Sequence, residues 1–183
     1  MTTTIEFSKM TSFLNKYRKN LTRFCRHIFT TPNTLHQHFP ASAMRSIQTA
    51  IEQSETQHFG EIRFAVEANL STLELLRKKS AKRRAIEVFS NLRVWDTEQN
   101  NGVLIYLLLA DHDFEILADR GIHQHVGDEG WAAISKVMEQ HFRQGAFEAG
   151  VLHGISAISG LLTHYYPANG KNDNELSDVP VIL

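Results

Sequence analysis

Seven consecutive apolar residues, 103–109 (VLIYLLL), run between the polar stretch 95–102 and the break Asp111-His112-Asp113. The run is too short to cross a bilayer and is rich in branched and aromatic side chains, which predicts a strand buried on both faces. A sheet with one wet face would alternate polar and apolar positions, so helices are expected on both sides. The Asp-His-Asp break lets residues 114–118 return as an antiparallel hairpin partner. Upstream, Ile62, Phe64 and Val66 alternate with Arg63, Ala65 and Glu67. That pattern predicts a strand with one apolar and one partly polar face, nearer the sheet edge than 103–109.

Helical spacing fills most of the remainder. Phe7, Met10, Leu14, Tyr17, Leu21, Phe24 and Ile28 recur every three or four positions and predict a long amphipathic helix, stopped by Thr31-Pro32-Asn33. His36, His38 and Phe39-Pro40 read as a linker, and two histidines at i and i+2 share no helix face on which to hold a metal. Met44, Ile47, Ala50 and Ile51 mark a helix over 42–54. Ser71-Thr72-Leu73-Glu74 has capping-box spacing, and Ser80 is placed to start a second helix that turns Ala85, Val88, Phe89 and Leu92 inward. Asp128 is the expected N-cap of a helix carrying Trp131, Ile134, Met138 and Phe142, and a last helix from Phe147 to Tyr165 closes at Pro167. A strand, a helical crossover and a buried strand imply a parallel pair with a right-handed connection. The expected fold class is α/β, a small mixed sheet flanked by helices, with an N-terminal amphipathic helix. Its divisions are a basic helical extension over 1–33, a domain over 34–167 and a tail over 168–183.

Composition narrows the class. With 183 residues, 42% hydrophobic and 21% charged, the chain is one ordinary domain with extensions. One cysteine, Cys25, excludes an internal disulfide and a cysteine-based zinc site. The start MTTTIEFSKM has no apolar segment of the secretory kind, and no window is apolar enough to span a bilayer. The expected location is the cytoplasm, with a peripheral membrane position as the variant.

Charge is unevenly spread. Lys9, Lys16, Arg18, Lys19, Arg23 and Arg26 face Glu6 alone, so the first thirty residues carry +5 and the remainder −6 of the net −1. A basic amphipathic helix over 7–29 suits a membrane surface or a partner, and equally suits docking on its own domain or pairing with a second copy as a homo-oligomer. Arg77, Lys78, Lys79, Lys82, Arg83 and Arg84 form a dense basic cluster without interleaved aromatics, so it reads as a solvated face with no nucleic acid as partner. The tail ends in Val179-Pro180-Val181-Ile182-Leu183, apolar enough to need a groove. The acidic residues before it, Asp173, Glu175 and Asp178, make the basic helix the expected receiving surface.

No GxSxG elbow, P-loop, HExxH or CxxC is present. If 62–67 and 103–109 are parallel and 114–118 returns, one sheet end gathers His58, Glu61, residues 96–101 and residues 119–123. Asp96, Glu98, Asp119 and Glu61 are the candidate ligands there for calcium or magnesium, with Thr97, Asn100 and Asn101 as further oxygen donors. Asp96, Asp119 and Arg120 are the candidate catalytic residues, since a phosphate oxygen could bridge a metal and an arginine. The plainer reading has Asp96 and Asp119 capping loops and pairing with Arg93 and Arg120. The opposite end offers Glu67, Asn69, Asp111 and Asp113, where open α/β sheets usually bind ligands.

The segments GEIRFAVE (60–67), AIEVFSNL (85–92), NNGVLIYLLL (100–109), ADRGI (118–122) and WAAISKVMEQHFRQGAFEAGVLHGI (131–155) together resemble the TPM domain family, in the variety found in many proteobacteria. The resemblance covers roughly residues 40 to 167. It implies an αβα sandwich with a small mixed sheet. Plant thylakoid-lumen relatives are described as acid phosphatases, some bacterial relatives bind calcium, and others are membrane-anchored. The resemblance therefore implies a divalent-cation-binding, phosphatase-like domain, with a non-catalytic binding or assembly module as the alternative. The chain departs from the longer family pattern after the third strand, where a Gly-x-Gly-Leu-Glu run is replaced by Asp119-Arg120-Gly121-Ile122-His123.

Overall fold

The computed structural model describes residues 20–170 and 174–183, so positions 7–19 of the expected N-terminal helix lie outside the described residues. Helix α1 covers 20–29, and α2 (Pro32–His38) and α3 (Ala41–Glu55) follow. Next come β1 (Ile62–Glu67), α4 (Thr72–Leu76), α5 (Ala81–Asn91), β2 (Val103–Leu108) and β3 (Asp113–Ala118). The chain ends in α6 (Arg120–Arg143), α7 (Phe147–Tyr165) and β4 (Val181–Ile182). The sheet order is β3-β2-β1-β4. β1 and β2 are parallel, with Phe64 opposite Ile105, and β3 returns antiparallel on β2, with Ile116 opposite Ile105.

The sheet divides the core in two, as strand alternation requires. Ile62, Phe64, Val66, Val103, Ile105 and Leu107 pack with α3, α6 and α7, while Ala65, Leu104, Tyr106 and Leu108 pack with α5. All six β2 residues are buried, in keeping with the uninterrupted apolar run. The β2–β3 connection is a single 3-10 turn, Leu109–Asp111, with His112 left-handed at φ 51°. Both predicted helix starts on the crossover hold: Ser71 and Glu74 cap α4 reciprocally, and the Ser80 side chain accepts from the Arg83 N–H.

Three local expectations are corrected. Residues 36–38 belong to α2, which Pro32 can open because its missing N–H is not needed in the first turn. Helix α6 starts at Arg120, and the break at Gly127 (φ 67°, ψ 173°) leaves the segment before Asp128 helical, not looped. β1 is an inner strand with all six residues buried, because the tail pairs with it as β4, Ala65 opposite Val181 and Val66 opposite Ile182. The receiving surface for the tail is thus β1 and not the basic helix. Arg63 and Glu67, expected on a partly polar face, are only 7% and 6% exposed, Arg63 near Asp178 of the tail and Glu67 against Arg84 and Tyr106.

Gly102 enters β2 hard against the turn that follows α5, where an added Cβ would run into the Val94 carbonyl oxygen. Gly102→Ala should cost roughly 1–3 kcal/mol, the usual range for overpacking. Chemical denaturation of the pure protein measures it, and a loss under about 0.5 kcal/mol would mean the turn yields freely.

Candidate functional site

The ends of the sheet carry different polar knots. At the first, the sequence Asp119-Arg120-Gly121 divides its labour in three. Asp119 has extended backbone and caps α6, its Oδ1 accepting from the Arg120 N–H at 2.7 Å. The Arg120 Nε–H donates to Asn100 Oδ1 at 3.2 Å, and its guanidinium stays exposed. Gly121 donates its N–H to the Asn100 carbonyl at 2.9 Å, and a Cβ there would stand 2.6 Å from the carbonyl oxygens of both Gln99 and Asn100. Only glycine lets the 95–102 loop close on the helix this tightly. Asp119 Oδ2 is buried and has no hydrogen-bond partner among the described residues, and Asn101 Oδ1 at the same sheet end shares that condition. Tyr166 lies beside this knot, with its phenol pushed up by burial and then by the Asp119 charge.

The other expected members of this end are placed differently. Asp96 pairs with Arg93 across 3.7 Å, both well exposed. Glu98 is exposed, and its N–H donates to Glu175 of the tail. Glu61 is almost fully buried, and its two oxygens accept the N–H groups of Glu175 and Leu176 at 3.2 and 3.1 Å. Among the described residues no three His, Cys, Asp or Glu side chains come together as a metal-holding group.

Beneath the tail lies a group of charges that the sequence reading missed. Burial, with Glu61 nearby, pushes Glu55 up to about 9, and burial pushes Glu61 up to about 7. Glu55 accepts the Ile62 N–H and shares a hydrogen bond with Asp178 of the tail. Burial lowers Arg63, which sits within the field of Asp178, Glu55 and Glu61. Two carboxyls in contact require a shared proton, so this cluster is a clasp for the tail. No spacing in the sequence joins residues 55, 61, 63 and 178, which is why only the fold reveals it.

At the opposite end, Asp111 anchors α1. Arg23 donates from Nε and Nη2 to Asp111 at 2.9 and 2.7 Å, and Arg23 Nη2 also donates to the Lys79 carbonyl. The buried His27 accepts the Leu70 N–H at Nδ1, so the neutral ring carries its proton on Nε2 and donates it to Asp111 Oδ1 at 3.0 Å. Burial pushes His27 down, in keeping with that neutral form. Burial alone would raise Asp111, but hydrogen bonds from Arg23 and His27 outweigh it and hold the carboxyl below its usual range. Glu67 is taken by Arg84 and by the Tyr106 hydroxyl, which donates at 2.7 Å.

The layered mixed sheet with a glycine-closed loop at one end and a helix-capping aspartate beside it defines an αβα domain of the kind read from the sequence. The TPM domain family model matches residues 35–161, and the chain belongs to that family. It is also similar to the BA42 protein of the psychrophilic bacterium Bizionia argentinensis, solved by NMR. The two are 31% identical with a TM-score of 0.70, over 78% of this chain and 94% of that one. Comparison with curated proteins gives no match.

Proposed function

We infer that the 95–102 loop and the start of α6 form a weak divalent-cation site serving phosphomonoester hydrolysis. The observation that supports this reading is Asp119 Oδ2, a buried carboxylate oxygen with no donor among the described residues. An unsatisfied buried acceptor costs ~1–3 kcal/mol and more when charged, and a hard cation is the partner that oxygen suits. Asp119 would supply the charged oxygen, with neutral oxygens of the 99–101 stretch and water completing the shell, since Asp96 is paired with Arg93 and the carboxylates of this end do not converge. Glu61 does not fit, since both its oxygens are engaged by the tail. One buried charge among mostly neutral donors corresponds to dissociation constants on the order of 10⁻⁴ to 10⁻³ M. A bound cation would supply Lewis acidity to a phosphate oxygen. Arg120, steadied through Nε, would pair with a second one.

A non-catalytic binding or assembly module is the second reading, favoured by Asp96 pairing with Arg93 and by the tail occupying both oxygens of Glu61. Calcium or magnesium at tenfold excess over its dissociation constant should raise stability by about 1.4 kcal/mol. Asp119→Asn should remove that gain, and Asp111→Asn at the other sheet end should keep it. Turnover of a generic phosphomonoester should need the cation and stop with chelator. A melting curve unmoved by 10 mM of either ion, approximately tenfold over the weaker limit, would return the domain to the second reading.

A further inference from the structure

Helix α1 is docked by its polar side. Arg23 and His27 face Asp111 and the Leu70 N–H, and Asn69 reaches the Thr30 carbonyl at 2.7 Å. The described apolar positions are therefore turned largely outward: Leu21 and Ile28 of the expected stripe and the neighbouring Phe29 are 64%, 57% and 78% exposed, with Phe24 half-buried. This inverts the ordinary logic of an amphipathic surface helix, which buries its apolar stripe and hydrates the other face. Beside it, α4 exposes Leu73 and Leu76, and Phe24 and Leu76 line one groove together with Leu75 and Lys78. Two helices thus present apolar side chains at one corner of the molecule, where a continuous patch marks a contact surface.

The cations around this corner indicate what it contacts. Of the basic cluster at 77–84, Lys79 is held by Glu74 and Glu87, and Arg84 by Glu67. Arg77, Lys78, Lys82 and Arg83 are exposed and form no ion pair among the described residues. Arg26 of α1 is exposed as well, with its guanidinium 3.9 Å from Asp111. A second copy meeting this corner across a two-fold axis would bring like charges together. A sheet of anionic headgroups over an acyl interior matches both the cations and the apolar side chains.

We propose that the corner formed by α1 and α4 docks on an anionic lipid bilayer, with Leu21, Ile28, Phe29 and Leu76 entering the interface and Arg26, Arg77 and Lys78 meeting headgroups. Asp111 then serves as the peg that fixes the helix polar side down, so that the domain sits rigidly against the surface.

Full-length protein should sediment with vesicles of phosphatidylcholine and phosphatidylglycerol at low salt, at least tenfold more than with phosphatidylcholine alone, and 0.5 M salt should reduce that binding. Ile28→Glu combined with Leu76→Glu changes only exposed positions and should cut binding at least tenfold while the melting temperature holds. Arg77→Gln with Lys78→Gln should weaken binding while lowering its salt sensitivity. Absence of binding to anionic vesicles at low salt overturns the proposal. So does equal binding by the Ile28→Glu/Leu76→Glu variant, or a dimer in sedimentation that the same substitutions dissociate.

Discussion

Arg84→Ala should destabilise the protein by roughly 3 kcal/mol, the low end of the range for breaking a buried ion pair, because Arg84 keeps about a fifth of its side chain exposed. The cause is what remains behind. Glu67 is only 6% exposed, and it sits on the α5 side of β1 between the Arg84 fork at 2.8 and 3.1 Å and the Tyr106 hydroxyl at 2.7 Å. The Arg84–Glu67 hydrogen bond raises Arg84 above its ordinary range, whereas burial and then the Glu67 charge raise Tyr106. Removing the guanidinium leaves a carboxylate in low dielectric with one donor. Arg84→Met together with Glu67→Gln should recover more than half of the loss, since a neutral pair carries no stranded charge. Urea unfolding of the three proteins measures this. A double variant less stable than Arg84→Ala alone would show that the charge itself, and not its desolvation, governs the site.

The same network shows what a sequence can and cannot display. The apolar run 103–109 specified a doubly covered strand because a two-sided environment leaves its mark residue by residue. Ser71, Glu74 and Ser80 specified helix starts because capping is local. Glu67 and Arg63 read as a wet face because their partners are remote: Arg84 lies on another element, and Asp178, whose charge acts on Arg63, comes from the far end of the chain. Alternation reports polarity, and polarity misleads wherever a charge is buried with a partner. The helical turn before Gly127 was hidden by glycine and histidine content, which locally resembles a loop.

The candidate site was legible in part for the same reason. Asp119, Arg120 and Gly121 stood out as a cluster because their roles are local to one helix start and one loop. Glu61 stood out by type alone, and the two tail N–H groups that occupy it have no sequence signature. For α1 only residues 20–29 are described, and they are helical as the spacing predicts, but nothing in the chain indicates that Asp111 would draw the opposite side inward. A single buried carboxylate can outweigh a stripe of apolar residues when arginine and histidine both satisfy it.

Deleting residues 176–183 should lower stability by roughly 2–3 kcal/mol, because Leu176 and Val181 each bury part of a side chain whose full burial is worth about 1.5–3 kcal/mol. In a domain of this size that is a drop of roughly 4–12 °C in melting temperature. The loss should depend on pH, and its sign follows from the clasp. Glu55 and Glu61 are raised in the folded protein to about 9 and about 7, so each binds a proton there that the unfolded chain releases near 4.5. Their contribution is complete below that value and is lost as pH rises, through about 7 for Glu61 and about 9 for Glu55. His27, pushed down by burial, acts oppositely, losing its contribution as pH falls below about 6.5. The comparison therefore belongs above neutrality. Between pH 7 and 9 the wild type should lose stability and expose its tail to carboxypeptidase. Glu55→Gln can keep its hydrogen bonds to the Ile62 N–H and Asp178 without a proton to lose, and it should hold both stability and tail protection across that range. If wild type and Glu55→Gln keep the same slope from pH 7 to 9, the Glu55–Asp178 contact is not what latches the tail. The tail would then be retained by Leu176, Val181, the Glu61 bonds to the Glu175 and Leu176 N–H groups and the Leu183 N–H to the Val66 carbonyl.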